Sequence, residues 1–168
     1  MTIPHSLAHI IRKTGSLRDL LDKTVELVAR EMDMDVCSIY LLESGDSRLR
    51  LVSTHGLDQE AMAEVVLERG EGITGIVVNE MRSIAVPDAS AHPGYHHFPG
   101  LGEEKFHSYL GVPLAIRTRP VGAIVVQSRE QRDFSRDEIQ TLNTISCLLY
   151  TSDAADEGLG VDLGGRRI

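Results

Sequence analysis

The sequence has little cysteine, no long apolar run and no basic cluster, and each shortage excludes something. Cysteine occurs twice, at Cys37 and Cys147, and the second falls in a C-terminal segment unlike the rest. A lone thiol in the main body forms no internal disulfide, which excludes a disulfide-stapled secreted scaffold and suits a reducing cytoplasm. No apolar stretch approaches the length of a membrane span. The start, Met1-Thr2-Ile3-Pro4-His5-Ser6, lacks the cationic and apolar regions of a signal peptide. Lys and Arg are scattered apart from pairs such as Arg48/Arg50 and Arg117/Arg119, and the net charge is −8. That balance weighs against nucleic acid or an anionic membrane as partner. A soluble cytoplasmic chain is expected.

What is present is one domain with a single sizeable core. Leu17, Leu20, Leu21, Thr24, Val25, Leu27, Val28 and Met32 recur at three- and four-residue steps, an amphipathic helix with Ser16 as its N-cap. Val36 to Leu42 reads as a strand, and Ser44-Gly45-Asp46-Ser47 as a hairpin turn into Leu49 to Thr54, with Arg48 and Arg50 on the wet face. A helical turn at Gln59–Ala63 and a short strand at Val65–Leu67 follow. Gly72 to Met81 is a second helix, and Pro87 ends the strand Ser83–Val86. Strands near 108–116 and 120–127 form another hairpin. Ser135 and Glu138 make a capping box for a closing helix carrying Ile139, Leu142 and Ile145. Pro113 inside a strand implies an edge or a bulge. Helix, hairpin-linked strands and closing helix predict an antiparallel sheet of five to six strands with helices on one face.

The most informative stretch is 71–129. It runs from Glu71-Gly72-Ile73-Thr74-Gly75-Ile76-Val77 through Ser83–Val86 into a polar loop of roughly 20 residues, then two strands. A loop that long inside a compact domain is often a ligand lid. This order of parts resembles a GAF domain, the small-molecule-sensing module of many bacterial regulators, over residues 10–146. Asp88-Ala89-Ser90-Ala91-His92-Pro93 and Glu103-Glu104-Lys105-Phe106-His107-Ser108-Tyr109-Leu110-Gly111-Val112-Pro113 are similar to the N-terminal GAF domain of nitrogen-type enzyme I. The resemblance implies an α/β chain of α+β type. First and last helices would pack together behind the sheet, with a ligand pocket under a loop on the other face.

The last 22 residues have another character. Cys147-Leu148-Leu149-Tyr150-Thr151-Ser152-Asp153-Ala154-Ala155-Asp156-Glu157 and Gly160 to Ile168 resemble an in-frame translation of a transposase-end sequencing adaptor. The expected division is therefore a GAF domain over 1–146, with a truncated closing helix, and a non-native tail over 147–168. Removing that tail takes away two basic and four acidic residues and brings the charge from −8 to −6.

Several residues are candidates for the pocket. In the first strand Cys37, Ile39 and Leu41 share one face and should meet the helices; Ser38, Tyr40 and Leu42 share the other. Ser38 and Tyr40 would then orient a small polar ligand within apolar walls, or Tyr40 bonds only to backbone. Asp88 suits an amine or amide, and His92, Tyr95 or His97 a carboxylate; alternatively Asp88 and His92 tie the loop to neighbouring backbone as Asx-turns do. Phe106 and Tyr109 serve as pocket wall or core. His92, His96, His97 and His107 lie near one another, yet adjacent His96 and His97 point apart in extended chain and no spacing fixes a metal-binding face. Gly70, Gly72 and Gly75 match a dinucleotide glycine pattern by spacing, but a helix packed tightly on the sheet explains them better. The attachment cysteine of bilin-binding GAF domains, the cysteines of free methionine sulfoxide reductases and the cyclic-nucleotide signature are all missing.

The resemblance implies a regulatory domain without catalysis or cofactor of its own. The parent would be a phosphoenolpyruvate-protein phosphotransferase of the nitrogen phosphotransferase system, needing Mg²⁺ only in its catalytic part and passing phosphate to a phosphocarrier protein. Glutamine or 2-oxoglutarate are the expected ligands, and a homodimer through the terminal helices the expected assembly. Alternatives are the GAF sensor of a transcription activator or histidine kinase, or a ligand-free dimerisation module.

Overall fold

The structure is a computed structural model that describes residues 17–43, 47–98 and 100–155. The expected N-cap Ser16, the hairpin turn at 44–46 and residues 156–168 of the adaptor-like segment lie outside them. The order is α1 (Leu17–Glu31), β1 (Val36–Leu42), β2 (Arg48–His55), α2 (Gln59–Met62), β3 (Val66–Glu68), α3 (Gly72–Glu80), β4 (Ile84–Val86), two 3-10 turns (Ala89–Ala91 and Glu103–Lys105), β5 (Ser108–Ile116), β6 (Arg119–Ser128) and α4 (Arg136–Ala155). The six strands form one antiparallel sheet, ordered β3-β2-β1-β6-β5-β4. Among the described residues no helix is long and apolar enough to cross a membrane.

The sheet is buried on both faces, and the alternation of β1 shows how. Cys37, Ile39 and Leu41 enter one core with Leu21, Val25 and Val28 of α1 and Leu142, Ile145 and Leu149 of α4. Val36 and Tyr40 enter a second core with Ile73, Val77 and Val78 of α3. Each large side chain so buried contributes about 1.5–3 kcal/mol. Burial pushes the Cys37 thiol up, which marks it as an inert core residue. The outward side of α1 carries Asp19, Lys23, Glu26 and Arg30, all exposed.

Irregularities sit where the sequence asks for them. Between Ile39/Tyr40 the β1–β2 register shifts, so that Ile39 pairs with Ser53 and Tyr40 with Leu51. The bulge turns Val52 toward the helical core and aims Ser53 at α1, where its hydroxyl donates to Asp22 Oδ1 at 2.6 Å. The short β4 reaches β5 only as far as Gly111, so Pro113 has no strand on that side. A second register shift follows between Leu114 and Ala115.

At α4 the capping box is reciprocal: Ser135 N–H donates to Glu138 Oε1 at 2.9 Å, and Glu138 N–H to Ser135 Oγ at 3.1 Å. The helix does not break at the expected junction after Ser146 but runs on to Ala155. Leu142, Ile145 and Leu149 explain the continuation: they fall on one helical face, and all three are buried.

Gly75 lies inside α3, where alanine ordinarily gains about 1 kcal/mol over glycine. Here a Cβ would stand 2.8 Å from the Glu68 carbonyl oxygen and 3.1 Å from Gly70 N, both backbone atoms unable to swing away. Overpacking of this kind costs about 1–3 kcal/mol and outweighs the propensity gain. Gly75→Ala is therefore expected to lower stability by about 1–2 kcal/mol. Urea melts check this, and an equal or higher midpoint would show that β3 yields freely.

Candidate ligand cavity

Between α3 and the sheet the second core opens into a cavity of about 30 Å³, or about 360 Å³ with its solvent mouth. The smaller figure is room for a few waters. Tyr40 of β1, Tyr109 of β5 and Gln127 of β6 rise from the sheet as its floor. Leu67, Gly72, Ile73 and Thr74 form one wall, and Ala89, Tyr95, His96, Phe98 and Glu103 come from the loop between β4 and β5.

That loop is stitched at base and tip. Ala89 N–H donates to His107 O at 2.6 Å, and His107 N–H to Ser128 O at 2.8 Å. At the tip Leu101 is 1% exposed, and its carbonyl accepts from Asp58 N–H at 3.1 Å. At the mouth His96 Nδ1 lies 3.5 Å from Glu71 Oε2, with its ring 4.7 Å from that of Phe98.

Two polar pairs in this layer are satisfied. Ser38 and Thr54 hydroxyls bond at 2.8 Å, and Thr74 and Tyr109 hydroxyls at 2.7 Å. Gly111 makes the second pair possible: a Cβ there would sit 2.5 Å from the Tyr109 hydroxyl. Two further groups are less settled. Tyr40 is 4% exposed, yet its hydroxyl has no hydrogen-bond partner among the described residues. Glu103 is half-buried, and its Oε2 accepts one bond from Gln127 Nε2 at 3.2 Å. Desolvation pushes the Glu103 carboxyl up to about 7; Gln127 opposes the shift and Glu104 adds to it. Burial first, then Glu103 and Tyr109, raise the Tyr40 phenol well above its ordinary value.

The structure thus brings Tyr40, Tyr95 and Tyr109 together at the cavity and places the other candidates elsewhere. Ser38 is occupied by Thr54. Phe106 is buried beneath the Arg129 guanidinium, 5.6 Å away. Asp88 accepts from Ser90 Oγ at 2.8 Å and Ser90 N at 3.2 Å, lies 3.7 Å from His107 Nδ1, and accepts from Gln131 Nε2 at 3.4 Å. The Ser90 hydroxyl bond leads in holding its carboxyl below the usual range. His92 Nδ1 accepts from Gly94 N–H at 2.9 Å. Asp88 and His92 therefore hold loop backbone, and His97 is exposed outside the lining. No three His, Cys, Asp or Glu side chains among the described residues converge in a way that would hold a metal. Thr74, Glu103 and Gln127 were not singled out from the sequence, and His96 was weighed only for a metal, although a glutamine after Ile124-Val125-Val126 signals a polar group in a buried strand.

The GAF domain profile matches residues 16–149, nearly all of the described body. The chain belongs to the GAF domain family. A protein of Escherichia coli strain K12, described as a phosphoenolpyruvate-dependent phosphotransferase system, is 34% identical over 143 residues, 83% of this chain and 19% of that protein. The Nif-specific regulatory protein of Azospirillum brasilense is 28% identical over 125 residues, 73% of this chain and 20% of that protein. The crystal structure of the GAF domain from an Acinetobacter phosphoenolpyruvate-protein phosphotransferase superposes with a TM-score of 0.82 at 32% identity, covering 94% of both chains. This GAF chain thus spans about a fifth of the length of the curated relatives it matches.

Two consequences follow from the buried polar groups. Glu103 titrates near 7 when folded against 4.5 ordinarily. The unfolded chain then gives up this proton first as pH rises, and the fold loses about 1–3 kcal/mol between pH 4.5 and 7. Glu103→Gln should be more stable than the parent at pH 8 and flatten that dependence; urea melts at pH 5 and 8 with parallel slopes for both proteins would contradict it. Tyr109→Phe should cost about 1–2 kcal/mol by leaving the buried Thr74 hydroxyl without its partner, and an unchanged melting midpoint would mean that water replaces the phenol.

Proposed function

We propose that this GAF domain is the small-molecule sensor of a phosphoenolpyruvate-dependent phosphotransferase of the nitrogen phosphotransferase system. The observation that carries the sensing role is the cavity under the loop, lined by Tyr40, Tyr95, Glu103 and Gln127, where the Tyr40 hydroxyl has no hydrogen-bond partner among the described residues. A hydroxyl that opens on a cavity is suited to a ligand or to the water that a ligand displaces. The E. coli and Acinetobacter relatives support the phosphotransferase context. Glutamine or 2-oxoglutarate, as reporters of nitrogen status, remain the ligands of choice.

Either molecule exceeds a space of about 30 Å³, so entry requires the 88–107 lid to lift. The lid is tied to the segment before α4 through His107 N–H to Ser128 O and through Gln131 to Asp88. A ligand preferring one lid position thereby biases α4, the outgoing helix. In this reading the domain has no chemistry of its own. Mg²⁺ and the phosphocarrier belong to the catalytic part of a cytoplasmic parent, and the terminal helices mediate a homodimer. The charged outer side of α1 would hold such a dimer by ion pairs. The Azospirillum relative supports a second context, a GAF sensor in a transcription regulator. Coding sequence downstream of the domain separates the two.

Thermal melts with glutamine and with 2-oxoglutarate test the sensing role. A ligand at 100 times its Kd stabilises by about 2.7 kcal/mol, and hydrogen exchange should slow across residues 88–107. Unchanged melting and unchanged lid exchange across nitrogen metabolites would count against it.

A further inference from the structure

We infer that the loop over the cavity carries a proton-operated latch: His96 fastens it to the start of α3 through Glu71, and the latch loosens as pH rises from about 5 to 8. The device works whether the cavity is empty or filled.

Two histidine–carboxylate contacts tie the loop. At the mouth His96 Nδ1 lies 3.5 Å from Glu71 Oε2, on the residue that precedes the first turn of α3. Glu71 is itself held from β3: its Oε1 accepts from Glu68 N–H at 2.9 Å, and its own N–H donates to Glu68 O at 2.9 Å. His96 is steadied by the Phe98 ring at 4.7 Å and packs against Gly72, where an added Cβ would stand 3.4 Å from the His96 Cβ. At the base His107 Nδ1 lies 3.7 Å from Asp88 Oδ1 and joins the two ends of the loop. The base contact stays within the loop, whereas the mouth contact crosses to another element. Opening therefore has to break the contact at His96.

Histidine is the side chain whose charge changes between pH 5 and 8, where carboxylates stay ionised. Protonated, His96 forms an ion pair with Glu71; neutral, it offers no more than an uncharged hydrogen bond. The neighbours reinforce the effect. Burial first, then the charges of Glu103, Glu104 and Asp88, raise the Tyr95 phenol, so carboxylates surround the loop. Glu68 on β3 and His97 are exposed, and the cations Lys105 and Arg129 sit at the base, the latter over Phe106. No Lys or Arg lines the cavity to replace a histidine that loses its proton. Burial also lifts the Glu103 carboxyl to about 7, so it is neutral while the latch is charged and ionises as the latch fails. Closure favours the bound proton at both sites, so it is strongest at low pH and weakens as pH rises. The His96 and Glu71 side chains are 40% and 38% exposed, which keeps the effect to roughly two- to fivefold in loop opening.

Amide hydrogen exchange of the 168-residue chain at pH 5.5 and 8, corrected for the intrinsic pH dependence of exchange, tests the latch. The reporters are the His92 and Tyr95 amides, bonded to Ala89 O and His92 O, and β6 amides report global unfolding. All proteins carry Glu103→Gln, which removes the second titrating group, and folding is checked by circular dichroism. Loop protection should fall about two- to fivefold from pH 5.5 to 8 while β6 protection does not. Adding Glu71→Gln, isosteric and able to keep the bond from Glu68 N–H, should abolish the fall, as should His96→Gln. Adding His97→Gln should leave it intact. No pH dependence in the Glu103→Gln protein, a dependence that survives both Glu71→Gln and His96→Gln, or an equal change in β6 overturns the inference.

Discussion

Strand β1 is buried on both faces, so each of its side chains must suit one of two cores that differ in kind. The helical core takes Cys37, Ile39 and Leu41, and its buried hydroxyls at Thr24 and Ser53 are spent on Leu20 O and Asp22. The other takes Val36, Ser38 and Tyr40, and it includes hydroxyls that need partners. A one-residue slip of β1 would drive Tyr40 into the helical layer and Ile39 into the cavity floor. Correct pairing of β1 with β6, which sets Tyr40 opposite Ala123 and Val36 opposite Gln127, is therefore also what turns Tyr40 toward the cavity that Gln127 and Tyr109 line. The packing of α1 and α4 on one side and the geometry of the cavity on the other depend on the same register.

The second core is unusual in how it handles its polar atoms. Ser38 with Thr54, and Thr74 with Tyr109, close on each other and act as ordinary structural pairs. Each such bond contributes about 1 kcal/mol and avoids a larger desolvation penalty. Tyr40 and Glu103 do not close in this way. Their desolvation is a cost the folded domain carries without full return. Nothing in the packing would prevent a phenylalanine at position 40 or a glutamine at position 103.

Regular elements were legible in the sequence because their periodicity is local. The two-residue alternation of β1 sorted Cys37, Ile39 and Leu41 from Ser38 and Tyr40, and the spacing of α1 sorted its buried face from Asp19, Lys23, Glu26 and Arg30. The Ser135–Glu138 box announced the start of α4. The loop was legible only as a loop. In irregular backbone no period gives side-chain direction, so Asp88 and His92, chosen for their chemistry, turn back onto Ser90 and Gly94. Glu103 reaches the cavity because Gly102 takes a left-handed conformation at φ 86° and starts the 3-10 turn that carries it. Gln127 was more visible: its register opposite Tyr109 follows from the β5–β6 hairpin.

The lid joins the cavity to the end of the domain through few atoms. His107, at its base, donates to Ser128, the last residue of β6, and Asp88 at its start accepts from Gln131. Past Gln131, Arg132 Nη2 meets Glu138 Oε2 at 2.7 Å in the first turn of α4. Any displacement of the lid base must stretch one of these links or carry the 128–138 segment with it. The Asp88–Gln131 contact is exposed and long, whereas the bond from His107 to Ser128 joins backbone groups beside the sheet. The backbone link is the stiffer one, so the loop base is held to the chain before α4 mainly through the end of β6. The closing helix is itself anchored at its start by a capping box and an ion pair, which keep its first turn from fraying.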